Sequence, residues 1–294
     1  TPIIAPLFRP YVVARALTGL LAYLGPAAAT AFLWHAALQA VRHVIVDKPV
    51  CTRCGEYEQI AALARETGLR VGCQLDLRDS GDVHAARRLI AEGAIGEVHT
   101  IAFDGQHPLS YGSRPGWYFE EGKHGGTIND IAIHAVDLIP WMTGRSIVEV
   151  VAARAWNARL TEVPHFQDGA QMLLRLDNGG GVLGDVSYFA PDRGGYGMPQ
   201  YWRITCRGPG GVIEISKASG KVFLGGASED EPQQWIEPDP MPGGTYFDAF
   251  QRDIEGRSLP GDLTTETVLE ATRVTLAIQE ADEKTTTREP LSAA

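Results

Sequence analysis

Between residues 148 and 224 the chain passes through six strand-like segments with no helical pattern between them. They are Val148–Trp156, Gly169–Leu176, Gly181–Phe189, Tyr201–Arg207, Gly211–Ser216 and Lys221–Leu224. Asp177-Asn178-Gly179 has hairpin chemistry, because Asn and Gly accept the positive φ that tight turns demand. Arg207-Gly208-Pro209-Gly210-Gly211 is a second turn. Ala170, Met172, Leu174 and Leu176 alternate with polar or outward positions, so one face of that strand is apolar. Strands joined this closely pair antiparallel, and their apolar face must be covered by helices or by a second copy of the sheet. Two later stretches supply helices, Tyr246–Glu255 and Thr264–Asp282, the second with Leu269, Val274, Leu276 and Ile278 as its apolar set.

The first half has another rhythm. Val44-Ile45-Val46 is a short β-branched run, as in a buried parallel strand, and Asp47-Lys48-Pro49 ends it. Lys48 therefore falls at the carboxyl end of a strand, where open α/β sheets bind ligands. Pro49 restricts Lys48 to extended geometry and admits a cis bond. Glu56–Thr67 reads as a helix stopped by Gly68, Leu69–Leu77 as a strand, Asp82–Glu92 as a helix and Val98–Phe103 as a strand. The whole is α/β followed by α+β.

Residues 104–126 form a loop rich in Gly, Pro and aromatics, with His107, Tyr111, Arg114, Trp117, Tyr118 and His124. Loops on rigid scaffolds carry binding residues disproportionately, and Trp117 reads equally as a pocket wall or as an anchor to the core. Next comes Gly125-Gly126, then a helix in which Asp130, His134 and Asp137 fall on one face at i, i+4 and i+7. A carboxylate one turn from an imidazole can orient the ring and raise its basicity, which suits proton transfer near neutral pH. A buried histidine capped by a local Asp gives the same pattern.

A net charge of −10 without a Lys/Arg cluster argues against nucleic acid and anionic membranes as partners. Four cysteines in 294 residues make no disulfide scaffold. Cys51 and Cys54 form a lone CxxC that reads as the start of a helix. Residues 1–46 lack Glu and Lys, and Ala16–Trp34 carries no charge. With Arg15 ahead of it, residues 1–31 read as a secretory signal, a weak membrane span or a core helix pair. The last reading leaves the protein cytoplasmic.

Three stretches together resemble one family, the Gfo/Idh/MocA oxidoreductases. They are His35 with His43-Val44-Ile45-Val46-Asp47-Lys48-Pro49, Glu92-Gly93-Ala94-Ile95-Gly96-Glu97-Val98, and Gly125-Gly126-Thr127 with Asp130, His134 and Asp137. The resemblance covers His35 to the end. It implies a remnant of a parallel Rossmann-type domain at 1–78, with 1–34 atypical, and a substrate-binding and dimerisation domain at 79–294 with the large antiparallel sheet. It implies NAD or NADP as cofactor and a sugar or polyol as substrate. Lys48, Asp130 and His134 would be catalytic, with His134 as general base; Lys48, Pro49 and His35 would meet the cofactor; Trp117, His134 and Asp130 would meet the substrate. No metal ligands follow from it. The sheet would form a homodimer or tetramer. The family's GxGxxG is missing: Gly19 and Gly25 are the only glycines before Gly55. That opens two alternatives, a non-catalytic dimeric ligand-binding homologue and a metal-dependent sugar isomerase or lyase using His134, Asp130, His124 and Asp137.

Overall fold

The computed structural model describes residues 11–13, 43–226, 232–241 and 243–284. His35 and the uncharged stretch Ala16–Trp34 lie outside them. Two sheets organise what is described. The smaller is parallel, in the order β1 (Tyr11–Val13), β2 (His43–Asp47), β3 (Val71–Gln74). The larger has eight strands. In chain order they are β4 (Thr100–Pro108), β5 (Ile147–Trp156), β6 (Gly169–Leu176), β7 (Gly181–Ala190), β8 (Arg203–Gly208), β9 (Gly211–Ser216), β10 (Val222–Gly226) and β11 (Gln234–Ile236). Its spatial order is β11-β10-β9-β8-β4-β7-β6-β5, with β4 and β7 the one parallel pair. This is the mixed, mainly antiparallel sheet that the turn chemistry predicts, and the Asp177-Asn178-Gly179 hairpin joins β6 to β7.

The helices are α1 (Cys54–Thr67), α2 (Gly81–Ala91), α3 (Ile133–Thr143), α4 (Thr245–Ile254) and α5 (Thr265–Lys284). Cys54 opens α1, and Gly68 closes it in the left-handed region at φ 69, its N–H reaching the Ala64 carbonyl at 3.0 Å. α5 runs between two cores. Val274 and Ile278 belong to the same buried core as Ile101, Phe103, Leu174 and Val182 of the large sheet. Val268 and Leu276 pack with Val44, Val71, Leu75 and Ala249 around the small sheet. Burial of such side chains contributes about 1.5–3 kcal/mol each. The C-terminal helices thus return to the small sheet. Gly72 lets them approach: a Cβ there would come within 2.7 Å of Phe250 on α4, so Gly72→Val would push that helix off β3.

Two boundaries differ from the sequence expectation. β3 stops at Gln74, and Asp76–Asp79 forms a 3-10 turn, because Arg78 turns inward to a buried partner. β4 continues through Pro108, so residues 104–108, expected as loop, are strand. The parallel partner β7 holds that extension in register from Asp104 to Gln106, with a bulge before Pro108. His107 consequently projects from a strand.

The other face of the large sheet is open. Leu173 and Leu183 lie directly opposite each other on β6 and β7 and are both exposed. Asp104 and Asp185 face each other across β4 and β7 in the same way. No helix of the described residues is long and apolar enough to cross a membrane.

Candidate active site

Lys48 stands one residue past β2, at its carboxyl end, and its peptide bond to Pro49 is cis. The long side chain reaches across to the helical stretch 82 residues away. Its Nζ donates to Asp130 Oδ1 at 2.9 Å and to the Asp130 main-chain oxygen at 2.5 Å. An ammonium has three protons, so one remains for a ligand.

Asp130 is not at the start of a regular α-helix. Ile128–Ala132 is a π-helical turn that leads into α3, and such turns concentrate at functional sites. Gly126 makes the approach possible: its φ is 93, and a Cβ there would collide with Gln279 of α5. The carboxyl of Asp130 is shared. Oδ1 takes Lys48, while Oδ2 accepts the hydroxyls of Tyr118, at 2.7 Å, and Tyr188. His124 Nε2 is 3.7 Å from the same oxygen. Burial opposes ionisation of Asp130, but Lys48, His124 and Tyr188 together outweigh it and hold the carboxyl well below its ordinary range. The same burial, with the Asp130 charge beside them, pushes the two tyrosines well above theirs.

His134 is brought to the same place but not to the same carboxylate. The expected Asp130–His134 hydrogen bond does not form. Asp130 is drawn to Lys48 and the tyrosines instead, and His134 Nδ1 is buried with no partner. Its ring lies edge-on to Trp202 at 5.5 Å. Burial first, then the nearby Lys48 and His107, hold His134 well below its usual value, so it is a neutral imidazole at physiological pH. His107 is similar: its Nε2 is buried and unpartnered, its ring sits among Tyr188, Tyr196, Tyr201 and Trp202, and burial with Lys48 lowers its pKa to about 3. Unpaired polar atoms in a buried site are costly, which marks them as partners for a ligand.

Asp137 is a structural residue. Both its oxygens bind Arg78, Oδ2 to Nε at 2.8 Å and Oδ1 to Nη2 at 2.5 Å. It therefore cannot join His134, Asp130 and His124 around a metal, and among the described residues no cluster of three or more such side chains could hold one. Trp117 is half-buried against the core, its ring 5.5 Å from that of Tyr118, so it anchors the loop beside the site. The buried thiols are unsuited to redox work. Cys51 and Cys73 are buried, and burial pushes Cys51 up to about 12.

Sequence reasoning missed the roles of Tyr118, Tyr188, His107 and Trp202. Tyr188 is a fully buried strand residue that reads as core. A tyrosine at an inward strand position was the one available signal, since its hydroxyl needs a buried partner.

A small parallel sheet and a large mixed sheet make up the described fold, and a lysine just past β2 meets a carboxylate from the turn before α3. Residues 83–214 match the GFO/IDH/MocA C-terminal domain. Over that segment the chain is similar to the Gfo/Idh/MocA oxidoreductases. It is 24% identical over 152 residues to scyllo-inositol 2-dehydrogenase (NADP(+)) of Bacillus subtilis, covering 50% of this chain and 42% of that protein. It is 32% identical over 119 residues to 1,5-anhydro-D-fructose reductase of Ensifer adhaerens, covering 40% and 35%. The chain thus spans less than half the length of these curated relatives. Among solved structures, an oxidoreductase from Thermotoga maritima superposes with a TM-score of 0.76 at 23% identity, over 87% of this chain and 74% of that one. An Agrobacterium radiobacter oxidoreductase in complex with NAD+, L-tartaric acid and magnesium gives 0.70 at 18%, over 88% and 76%. These two likenesses establish the fold.

Proposed function

We propose that the protein is an NAD(P)-dependent oxidoreductase that interconverts a sugar or polyol hydroxyl and its ketone. One observation carries this reading: Lys48 is locked by Asp130 at a strand's carboxyl end, beside a neutral His134 whose Nδ1 has no partner. The names of the matched relatives, a scyllo-inositol dehydrogenase and an anhydrofructose reductase, support the substrate class.

The residues present fit the reacting end of such a site. Lys48 and Pro49 would lie against the nicotinamide ribose, and a bound nicotinamide would accept or return the hydride. The donor set for a pyrophosphate is not among the described residues. Lys48 directs its free proton to the reacting oxygen and stabilises negative charge that develops there. Asp130 keeps that ammonium aimed. His134, neutral at rest, takes the hydroxyl proton as the carbon is oxidised and returns it in the reverse direction. His107 offers a second neutral imidazole for another hydroxyl of the substrate. The assignment of Lys48, Asp130 and His134 as the working set, the division near residue 78, and assembly of a dimer through the open sheet face belong to this same proposal. Exposed Leu173 and Leu183 support the last.

The direct test is a panel of inositols, aldoses and anhydro sugars with NAD+ and NADP+, following nicotinamide absorbance. The alternative to this is a dimeric sugar-binding homologue without redox chemistry. Fluorescence titration with NADH and NADPH separates the two: sugar binding without dinucleotide binding sinks the dehydrogenase.

A further inference from the structure

His124 stands outside the set that the resemblance supplies, yet it ends the hydrogen-bonded chain that begins at Lys48. The order is Lys48 Nζ, Asp130 Oδ1 and Oδ2, Tyr188 hydroxyl, His124 Nε2, with the last contact at 2.9 Å. The Tyr118 hydroxyl lies 2.7 Å from both Asp130 Oδ2 and the Tyr188 hydroxyl. Two hydroxyl protons serve three short contacts here, Tyr118 to Asp130, Tyr188 to Asp130 and Tyr118 to Tyr188. Ionised Asp130 accepts only, and when both hydroxyls donate to it the contact between the two tyrosines carries no proton. The Tyr188 oxygen is then an acceptor, and the group beside it that can bring a proton is the imidazole nitrogen. The ring cannot turn away: it is packed between Phe166 and Tyr118, each with its centroid 4.7 Å off, with Tyr188 at 5.6 Å. The charged groups around this chain are Asp130 at 3.7 Å, Lys48 beyond it, and Arg114, which lies over the rings of Tyr118 and Tyr188 at 4.6 and 5.7 Å. On its own loop, Lys123 is paired with Glu120.

We propose that His124 is a positioning residue: carrying its proton on Nε2, it donates to Tyr188, commits the Tyr188 hydroxyl to Asp130, and so keeps Asp130 turned to Lys48. In the other neutral tautomer, Nε2 becomes an acceptor, and the Tyr188 hydroxyl can swing to it. Asp130 Oδ2 then loses a donor, and the carboxylate is held less firmly against the lysine. The consequence for turnover rests on the dehydrogenase reading, whereas the network itself does not.

The test uses the full chain. Long-range proton–nitrogen NMR of the histidine rings reports the tautomer of His124, and carboxyl-carbon NMR, assigned with Asp130→Asn, follows Asp130 on acidification. The expected result is an Nε2-protonated His124. In His124→Leu and Tyr188→Phe, protonation of Asp130 should begin about one pH unit higher, as loss of a hydrogen bond to the ionised form requires. His124→Gln, which keeps an N–H donor, should stay near the wild type. Turnover should fall roughly tenfold in His124→Leu with KM unchanged, because a less firmly held carboxylate aims the Lys48 ammonium less well. An Nδ1-protonated ring in the wild type overturns the inference, whether or not the variants fold. So does an unmoved Asp130 in His124→Leu. Absence of dehydrogenase activity, with the Asp130 shift intact, removes the proposed function and leaves this inference standing.

Discussion

Two buried carboxylates on one helical stretch, seven residues apart, meet opposite fates. Asp137 faces Arg78 alone, through two parallel hydrogen bonds, and the pair is closed: both side chains are buried. Asp130 faces Lys48, two tyrosine hydroxyls and His124, and the cluster around it leaves polar atoms over. Burial lifts Asp137 above its ordinary pKa, with Arg78 opposing. At Asp130 the donors overcome the same burial. The difference is in how many donors each carboxylate holds, and in whether any capacity is left for a ligand. The closed pair joins the segment after β3 to α3, while the open one joins the end of β2 to the turn before α3. One is a closed fastening; the other leaves capacity for a ligand.

The widest separation of the two should come from Arg78→Met. It strands a buried carboxylate, and loss of one partner of a buried pair costs about 3–5 kcal/mol of folding stability, read by urea or thermal unfolding. A loss under one kcal/mol, on the order of an exposed pair, would break the comparison. Lys48→Met should act on rate: a drop in kcat/KM of about 10²–10³, as for removal of one oxyanion donor, with the unfolding midpoint changed far less than by Arg78→Met. Equal effects of both substitutions on stability would make Lys48 a second structural pin.

Acid titration sharpens the contrast further. The folded-state pKa of Asp130 lies below its unfolded value of 3.8, so its stabilising contribution is complete above that value and is lost as pH falls through the lower one. The stability gap between wild type and Asp130→Asn should therefore shrink on acidification. Asp137 lies above 3.8, so its protonated form is the one folding favours, and stability falls as pH rises through that range. Relative to Asp137→Asn, the wild type should gain stability on acidification. Parallel slopes for the two variants would contradict the donor count. The smallest effect expected is an absence. Because His134 is held well below 6.5, kcat/KM for hydroxyl oxidation should stay level as pH falls through 6.5, with no limb from this imidazole there.

Much of the frame was legible along the chain. The six strand segments are strands, and the eleventh strand, Gln234–Ile236, was missed because three residues carry too little pattern. Cys54 as a helix start and Gly68 as its end are local matters, and local chemistry decides them. Lys48 at a strand end was visible for the same reason. The pairing within the site was not. Helical spacing put Asp130 beside His134, but the stretch is wound as a π turn at Asp130, and stronger donors arrive from 82, 12 and 58 residues away. Nothing in the spacing of neighbours reports such partners.

The sequence by itself determined the elements and the two sheet types, because turn residues, hydrophobic period and strand length act over a few positions. It also determined that Lys48, Asp130 and His134 would be candidates, through motif order. Only the tertiary structure decided which charge each carboxylate holds. A buried carboxylate takes the donors that reach it through space, and with burial opposing ionisation at both, Lys48 and two tyrosines made Asp130 the centre of a shared cluster while Arg78 alone made Asp137 a fastening.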